Sequence, residues 1–399
     1  MSGEIEHILI GGGISGLGMA HFARRRGVRT LVLEQSERVG GCMNSRTFEG
    51  CGGFWTEAGS HTGFNSYGRL LDILSGLGLM GRLTPKTKLR YSLWRNGKRG
   101  SIFSALHPLE LAFSLPRLFT GSKTGKRVAD YYGAGLGRRN YRDLFGPAFR
   151  AVICQDADDF PAELLFRRKP RRKEVARSFT FSGGLSEIPR AIAAQPGLEI
   201  RTGQVATGVA RDGEGFRVAL ADGAALDCRS LTLAVPPDAA AALLPEDLVE
   251  LRSEIRTIGV AKVDSLALCV LAEDLEHLPP LAGLIAVDDA FYSMVSRDYI
   301  RDERYRGFAF HFRPGALTPD EQLGRACRAL GVDQDRIAGL HRVANRLPAL
   351  RSGHEARVRR IDAALAGGRL AITGNWFLGV SIEDCLTRSD QEAERLFGA

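Results

Sequence analysis

The chain has 399 residues, of which 44% are hydrophobic and 25% charged, and its formal net charge is +8. That length is enough for two or three folded units with sizeable cores. No stretch reaches the about 18 uncharged apolar residues that a bilayer-spanning helix needs, which predicts no transmembrane anchor. The opening MSGEIEHILI carries glutamates where a signal peptide carries basic residues, so we expect a cytoplasmic protein.

The cysteines and the densest cluster of charge exclude further classes of protein. The seven cysteines are scattered without CxxC spacing, which predicts reduced thiols, no metal site and no disulfide framework. The cluster RRKPRRKEVAR at residues 167–177 is typical of a solvated surface, with attraction to anionic lipid or to an acidic substrate as the alternatives. No nucleic-acid recognition motif accompanies this cluster, so we expect no nucleic-acid partner.

The first elements along the chain predict a nucleotide-binding βαβ unit. The strand IEHILI leads into GGGISG, an amphipathic helix follows, and the strand VRTLVLEQ contains Glu34. Gly11, Gly13 and Gly16 form G-x-G-x-x-G, whose glycines allow a tight turn, a close approach to a pyrophosphate and close packing of helix on strand. Glu34 can accept hydrogen bonds from both ribose hydroxyls, so the unit fits either NAD or FAD.

Two further glycine-rich segments differ in meaning. RVGGCMNS begins at Arg38 and offers a second close backbone approach, which an extended FAD needs and a plain NAD domain does not. GAGLG at residues 133–137 follows VADYY, which has a helical pattern, and has neither a strand before it nor a ribose acid after it. We interpret GAGLG as the end of a helix, so the chain has a single dinucleotide-binding domain.

The remaining elements predict a second lobe. Residues 68–79 have helical periodicity, and KLRYSLWRNGKRGSIF is a hairpin that turns at Asn96-Gly97. A helical pattern runs from about Ala105 to Ala176; within it LHPLELAFSLPRLF at 106–119 is either a buried helix pair or an apolar surface that dips into a membrane. Strands follow in LEIRTGQVATGVARDGEGFRVALADG, SLTLAVPP, IGVAKVDSLALCVLAE and GFAFHFRP. The strand RLAITGNWF and a helix from about Ile382 come last.

This order predicts an α/β fold, in which a discontinuous Rossmann-like FAD-binding domain carries an inserted mixed α+β substrate domain and a helical subdomain. The predicted FAD-binding domain comprises residues 1–82, 183–236 and 345–399. The substrate-binding domain comprises residues 83–104 and 237–344, and the helical subdomain residues 105–182.

Several segments resemble the FAD-dependent amine oxidase superfamily. GGGISG joined to LEQSERVGGCMNS resembles the superfamily as a whole. One branch, the protoporphyrinogen oxidases, is similar in further segments and in their order along the chain: FWTEAGSHTGFNSYGRLLDILSGLGL, YSLWRNGKRG, SFTFSGGLSEIPRAIA, LAVPPDAAAALL, LPALRSGHEARVRRI and ITGNWFLGVSIEDCLTRS. The chain is shorter than that branch, mainly in its helical middle and loops.

The resemblance implies FAD as the cofactor, chemistry centred on the flavin, no metal and no identified catalytic side chain. The implied FAD contacts are Gly11, Gly12, Gly13, Ile14, Ser15, Gly16, Glu34, Gln35, Arg38, Gly41, Cys42, Gly59, Ser60, His61, Thr62, Val205, Gly374, Asn375, Gly379, Val380, Ser381 and Ile382. The basic residue expected to meet a substrate propionate has no plain counterpart, and Arg99 or His107 falls near its place. Cys42 and Cys385 are expected to be small thiols of the core, and Trp376 and Phe377 core aromatics.

The function that the resemblance implies is oxidation of a porphyrinogen, protoporphyrinogen or coproporphyrinogen, to a porphyrin of heme biosynthesis. Hydride would pass to the flavin, with oxygen or another electron acceptor reoxidising it, and the enzyme would be cytoplasmic or peripheral on the inner face of the membrane. One alternative is an amine oxidase or desaturase of a secondary pathway; a lysine near the flavin would favour amine oxidation, and no recognisable motif supplies one. A second alternative is a non-redox flavin mutase.

Overall fold

The structure is a computed structural model that describes residues 5–59 and 62–398. Its strands are β1 (Ile5–Ile10), β2 (Thr30–Leu33), β3 (Ser45–Thr47), β4 (Trp55–Glu57), β5 (Gly63–Phe64), β6 (Thr84–Pro85), β7 (Tyr91–Arg95), β8 (Lys98–Ser101), β9 (Ser178–Thr180), β10 (Leu198–Arg201), β11 (Ala206–Asp212), β12 (Gly215–Leu220), β13 (Ala225–Leu233), β14 (Gly259–Leu271), β15 (Gly283–Ala286), β16 (Phe291–Ser296), β17 (Tyr305–Phe312), β18 (Ile337–Ala349) and β19 (Leu370–Ile372).

The α-helices complete the secondary structure of the described residues, together with short 3-10 turns and a π-helix at Tyr141–Phe145. They are α1 (Ile14–Arg25), α2 (Gly68–Gly76), α3 (Pro108–Ser114), α4 (Pro116–Thr120), α5 (Val128–Leu136), α6 (Arg138–Asn140), α7 (Gly146–Ile153), α8 (Glu187–Ala193), α9 (Pro237–Leu243), α10 (Val249–Arg256), α11 (Pro319–Leu330), α12 (His354–Leu365) and α13 (Ile382–Phe397).

The first sheet has the strand order β10-β2-β1-β13-β12-β11, and β19 also pairs with β13. Strands β10, β2, β1, β13 and β19 are parallel. The apolar runs of β1, β2, β13 and β19 are buried because helices cover the sheet, whereas β10, at its edge, is half-exposed. Leu231 of β13 pairs with Leu370 of β19, so the two ends of the chain join one sheet. The predicted Rossmann-like α/β fold is confirmed, whereas the exact domain boundaries stay a prediction.

The second sheet has the order β18-β14-β17-β16-β15-β7-β8 and is antiparallel except between β15 and β7. Leu266 and Leu268 of β14 and Phe308 and Phe310 of β17 form a core on one face of this sheet, against which α11 packs. The predicted hairpin is present, because Asn96 and Gly97 both have the positive φ angles, 51° and 69°, that a tight hairpin turn needs.

The helical segment between the sheets is shorter than predicted. Helices α3 to α7 end at Ile153, and residues 154–177 contain only one 3-10 turn, Ala162–Leu164. The helical pattern predicted as far as Ala176 is therefore wrong beyond Ile153. Cys154 adopts the left-handed conformation that ends α7, and Pro161 and Pro170 oppose a continuing helix. The interpretation of GAGLG is confirmed, since α5 ends at Leu136 before Gly137.

Helices α3 and α4 lie on the surface of the molecule. Leu109, Phe113 and Phe119 are 76%, 81% and 77% exposed, so the alternative of a buried helix pair at 106–119 is wrong. Among the described residues, none of the helices combines the length and the apolar character needed to cross a bilayer.

Candidate functional site

The first glycine loop has two glycines that the fold itself requires and one that faces open space. Gly11 has φ +111°, and a side chain there would collide with the Ala234 carbonyl oxygen. A side chain at Gly16 would collide with the Gly11 carbonyl oxygen. A Cβ at Gly13 would meet nothing within 4 Å. Gly13 stands at the start of α1, so the space beside it lies at a helix N-terminus, where a pyrophosphate would be bound.

Glu34 is held at the edge of this loop. Its Oε2 accepts a hydrogen bond from Gly12 N at 2.7 Å, and its Oε1 accepts one from Ser36 N at 2.8 Å. Each carboxylate oxygen keeps a second lone pair with which it can accept a ribose hydroxyl. The Glu34 carbonyl accepts Gln204 N at 2.9 Å, which brings Val205, 41% exposed, beside the predicted ribose site. Gln35 is exposed.

The second glycine loop is bonded to the first. Gly40 N donates to Gly12 O at 2.8 Å, and Arg38 Nη2 donates to Gly41 O at 2.8 Å, which fixes the loop from within. A Cβ at Gly41 would be 3.3 Å from Gly13 Cα, and one at Gly59 would collide with the Cys42 carbonyl oxygen. The structure thus brings three predicted segments into contact: the loops at 11–16 and 38–42, and the turn that begins at Gly59.

The C-terminal segment meets these loops through α13. Ser389 Oγ donates to Ser15 O at 2.7 Å, and the Cβ that Gly18 lacks would collide with the Leu386 side chain, so α13 packs closely on α1. Cys385 is buried, which raises the pKa of its thiol to about 12. Burial also raises the pKa of Cys42, so both thiols remain protonated at neutral pH.

Helix α13 starts at Ile382, the predicted position, and a capping box holds its first turn. Ser381 and Asp384 form a capping box, in which Ser381 Oγ accepts Asp384 N at 3.2 Å and Asp384 Oδ2 accepts Ser381 N at 3.3 Å. The Ser381 N–H therefore has a partner within the protein, and the FAD contact implied for Ser381 stays a prediction. The N–H groups of Ile382 and Glu383, the first of the helix, have no intrahelical partner and give this end its positive potential.

The segment before α13 is ordered by packing. Gly379 has φ +140°, and Val380 lies between it and the cap. A Cβ at Gly374 would be 2.5 Å from Trp376 Nε1, which itself donates to Val235 O at 3.1 Å. Trp376 and Phe377 are buried, which confirms them as core residues, and Asn375 lies between Gly374 and this pair.

Other predicted residues divide into three groups. Ser60 and His61 lie outside the described residues. Arg99 is exposed on β8. His107 is engaged by Asp143, with 2.9 Å between Nε2 and Oδ2. The contacts predicted for Arg99 and His107 with a substrate stay predictions.

Sequence reasoning missed a set of polar side chains around the turn at 59–62. Lys86 Nζ donates to Thr62 Oγ1 at 2.7 Å, and Glu57 is buried in β4 just before the turn. Asn345 Nδ2 donates to Ala58 O at 3.0 Å and to Ser265 Oγ at 2.9 Å. The available signal was Glu57 itself, an acid in the short apolar segment FWTEAG.

Two family models match the chain. A model described as an NAD(P)-binding Rossmann-like domain matches residues 9–77, and one described as flavin containing amine oxidoreductase matches residues 126–279. These matches confirm the resemblance to the FAD-dependent amine oxidase superfamily. The chain is an FAD-dependent oxidoreductase.

Solved structures of this fold extend over the whole chain. A candidate protoporphyrinogen oxidase from Exiguobacterium sp. 255-15 is 17% identical with a TM-score of 0.77, covering 100% of this chain and 99% of its own. Cyclohexylamine oxidase from Brevibacterium oxydans IH-35A is 16% identical with a TM-score of 0.71, covering 99% of each chain. A reduced UDP-galactopyranose mutase is 14% identical with a TM-score of 0.75, covering 98% of this chain and 95% of its own.

The site of this FAD-dependent oxidoreductase fits its cofactor. Gly13 leaves room for a pyrophosphate, Glu34 presents a carboxylate for a ribose, and the start of α13 presents the N–H groups of Ile382 and Glu383, next to its capping box. These three features lie on elements in direct contact, as an extended dinucleotide requires.

Proposed function

We propose that this flavoenzyme oxidises a porphyrinogen, protoporphyrinogen or coproporphyrinogen, to the porphyrin, with oxygen or another acceptor taking the electrons. The observation that carries the proposal is the likeness to the candidate protoporphyrinogen oxidase along the whole chain, together with the motifs of that branch in the same order. The positive net charge of +8 also suits a polycarboxylate substrate.

Bound FAD supplies the two-electron acceptor for this reaction. Gly13 and the start of α1 would hold its pyrophosphate, and Glu34 would hold a ribose. The start of α13 places N–H groups where negative charge would develop, which stabilises that charge. Lys169 adds a cation at this end, 2.7 Å from Asp384 Oδ1, and so compensates the charge of the helix cap.

A neutral chain of hydrogen bonds supports the backbone just before Gly59. Asn345 bonds to Ala58 O and to Ser265 Oγ, and His311 Nδ1 lies 2.9 Å from Ser265 Oγ. Ser265 and His311 are 2% and 3% exposed, and burial lowers the pKa of His311 to about 4. This chain therefore offers no strong base to a substrate, which agrees with the proposal of chemistry centred on the flavin.

Oxidation of an amine is a second candidate, and Lys86 favours it. The sequence offers no lysine in a recognisable flavin-proximal motif, yet the structure places Lys86 on Thr62, in the predicted flavin turn. A non-redox mutase reaction, as in the UDP-galactopyranose mutase of the same fold, is a third candidate.

Anaerobic mixing of the flavoenzyme with each substrate class separates these candidates. We expect protoporphyrinogen or coproporphyrinogen to bleach the flavin absorbance and primary amines to leave it unchanged. Bleaching by an amine and by neither porphyrinogen would establish the second candidate instead. Turnover that needs prereduced flavin and yields no net oxidation would establish the third.

The exposed apolar surface of α3 and α4 is proposed to rest on an anionic membrane, from which the enzyme would collect an apolar substrate. Leu109, Phe113 and Phe119 would enter the interface, and the exposed Arg117 of α4 would meet lipid phosphates. The protein would then be peripheral on the inner face of the membrane.

Sedimentation with lipid vesicles tests this docking. We expect binding to vesicles that contain phosphatidylglycerol, weaker binding to phosphatidylcholine alone, and at least a tenfold loss in a Phe113→Ser, Phe119→Ser variant. Val249→Ser is the control, because Val249 is also exposed, at 67%, on a different element. Equal binding of the double variant and the wild type would contradict the proposal.

A further inference from the structure

Lys86 lies in a confined polar cluster against the predicted flavin turn. Its Nζ donates to Thr62 Oγ1 at 2.7 Å and lies 3.5 Å from the centroid of the Tyr299 ring. The backbone around Lys86 is fixed as well, because Lys86 N donates to Ser178 O at 3.0 Å and Thr87 N donates to Tyr299 O at 3.1 Å. The side chain is only partly buried, so protons can be exchanged with solvent.

Glu57 is the acidic member of the cluster. It is 2% exposed on β4, with Oε1 accepting Leu185 N at 2.8 Å and Oε2 accepting Ser45 Oγ at 2.9 Å. These two donors orient the carboxylate of Glu57 in its buried position.

The other titratable groups that face the cluster come from the segment after β16. Arg297 is 8% exposed, lies 4.4 Å and 4.6 Å from the centroids of the Phe54 and Trp55 rings, and approaches Asp302 at 3.9 Å. Burial raises the pKa of Tyr299 well above its usual value, so Tyr299 stays protonated. Among the described residues of the cluster, Lys86 and Glu57 are therefore the two whose pKa values lie near neutral pH.

Burial acts on Lys86 and Glu57 in opposite directions. It lowers the pKa of Lys86 to about 7, an effect that Glu57 partly opposes. It raises the pKa of Glu57 to about 7, in spite of hydrogen bonds from Leu185 and Ser45 and the charge of Lys86. A small change of local charge can therefore change the number of protons that the pair binds at neutral pH.

We propose that Lys86 and Glu57 form a redox-linked proton site, in which Lys86 Nζ takes up one proton when the FAD is reduced and releases it on reoxidation. The proposal rests on the predicted position of the FAD against Gly59 and Thr62, and not on the identity of the substrate. The two electrons come from the substrate or any chemical reductant, and they stay on the cofactor. The proton comes from solvent water, forms an N–H bond at Nζ and returns to solvent on reoxidation.

The physical cause is electrostatic. Reduction places negative charge near the turn, and an opposite charge within a few ångströms favours the ammonium form of a buried lysine. Lys86 would thus stabilise the reduced cofactor as a positioning residue, acting through Thr62, without being the base that attacks the substrate.

The flavin reduction potential measured against pH tests the proposal without any substrate. The FAD-loaded enzyme is titrated anaerobically with a reductant and a reference dye, from about pH 6 to pH 9, a window around the ordinary range of a perturbed lysine. In the wild type we expect the curve of potential against pH to contain a region near neutral pH in which reduction by two electrons binds one additional proton. Lys86→Met should lose that region, and Lys86→Arg should lose it while keeping a higher potential, because arginine is always charged.

Lys88→Met is the matched control, because Lys88 is exposed two residues away, and it should behave as the wild type. Glu57→Gln tests the same pair from the other side and should shift the pH of the region, so the result does not depend on one variant that must fold. An unchanged pH dependence in Lys86→Met or Lys86→Arg would overturn the proposal, as would a region that persists in Glu57→Gln at the wild-type pH. A failure of porphyrinogen to reduce the flavin would overturn only the proposed function.

Discussion

Gly13 and Gly16 stand three residues apart in one motif and have different physical roles. Gly16 is required by the fold, since any side chain there would collide with the Gly11 carbonyl oxygen. Gly13 has empty space where its side chain would be, so the protein alone does not need glycine there. A bound dinucleotide would be the reason that position 13 needs glycine.

Alanine substitutions separate these roles. Gly13→Ala should leave the thermal stability of the FAD-free protein within about 0.5 kcal/mol of the wild type and reduce FAD affinity at least tenfold. Gly16→Ala should destabilise the FAD-free protein by more than 1 kcal/mol. Thermal unfolding and FAD titration of both variants are the measurements. Normal FAD affinity in Gly13→Ala would contradict the proposed pyrophosphate position.

The spacing of residues in the sequence could identify the glycines and Glu34 as candidate cofactor contacts, because each belongs to a short local motif. It could not reveal Lys86 and Glu57 as a pair. They lie 29 positions apart, and the fold brings β4 and the segment after β6 near enough for the charge of each to affect the pKa of the other. The bond from Ser381 N to Asp384 Oδ2 is local, and the S-x-x-D spacing is the signal in the sequence that indicates it.

Helix α13 begins where its sequence predicts, at Ile382, because Ser381 and Asp384 bond to each other's backbone N–H groups. The same device starts α11, at Thr318 and Glu321, which lies on the second sheet away from the glycine loops. The same capping box therefore occurs at the starts of α11 and α13, and the cofactor is expected only at the start of α13.

Removing each cap gives an element-scale test. Ser381→Ala and Thr318→Ala should each lower the free energy of unfolding by about 1 kcal/mol, as measured by urea titration. Only Ser381→Ala should also weaken FAD binding, by several-fold, because it loosens the N–H groups at the start of α13. Equal FAD affinity in the two variants would contradict the placement of the flavin at this helix.

Helices and strands were predicted most accurately where a local sequence signal ends the element. The turn at Asn96-Gly97 and the end of α5 before Gly137 follow from backbone conformations that few residues adopt. The helical prediction was wrong for residues 154–176 because Pro161 and Pro170 interrupt that segment and oppose a continuous helix. Exposure of α3 could not be decided from its apolar sequence, because a buried helix and a membrane-facing helix share that composition.

Among the described residues, four buried histidines make stability dependent on pH, because burial lowers the pKa of each, His21 included. Burial lowers the pKa of His7 to about 3, and that of His311 and of His354 to about 4, from 6.5. Between pH 6.5 and pH 4 the unfolded chain therefore binds more protons at these sites than the folded chain, and acid lowers stability. Glu57 acts in the opposite direction between pH 4.5 and pH 7, because its folded pKa is raised.

We accordingly expect the free energy of unfolding to be lower at pH 5 than at pH 7, with a slope of about 1.4 kcal/mol per pH unit for each net proton. Urea titrations at a series of pH values measure this slope. His311→Gln should make it shallower by one proton, because glutamine cannot ionise. Stability that is constant or greater at pH 5 would show that these rings are not neutral in the folded protein.

The order of elements allowed the overall fold to be predicted, since a parallel sheet interrupted by a second lobe leaves a readable alternation of strands and helices. The substrate could not be predicted with the same certainty. Side chains of β14, β17 and β18, such as Ser265, Asn345 and His311, converge from distant positions and belong to no local motif, so the sequence gives no local signal for such clusters.

The pairing of β19 with β13 has a consequence for how the cell makes this enzyme. The ribosome synthesises β19 and α13 after every other described part of the site, so the nascent chain exposes an unpaired edge of β13 and an uncovered face of α1 until then. If FAD binds at the start of α13 as proposed, a chain that stops before Leu370 lacks part of that site, and it presents an open sheet edge to chaperones and proteases.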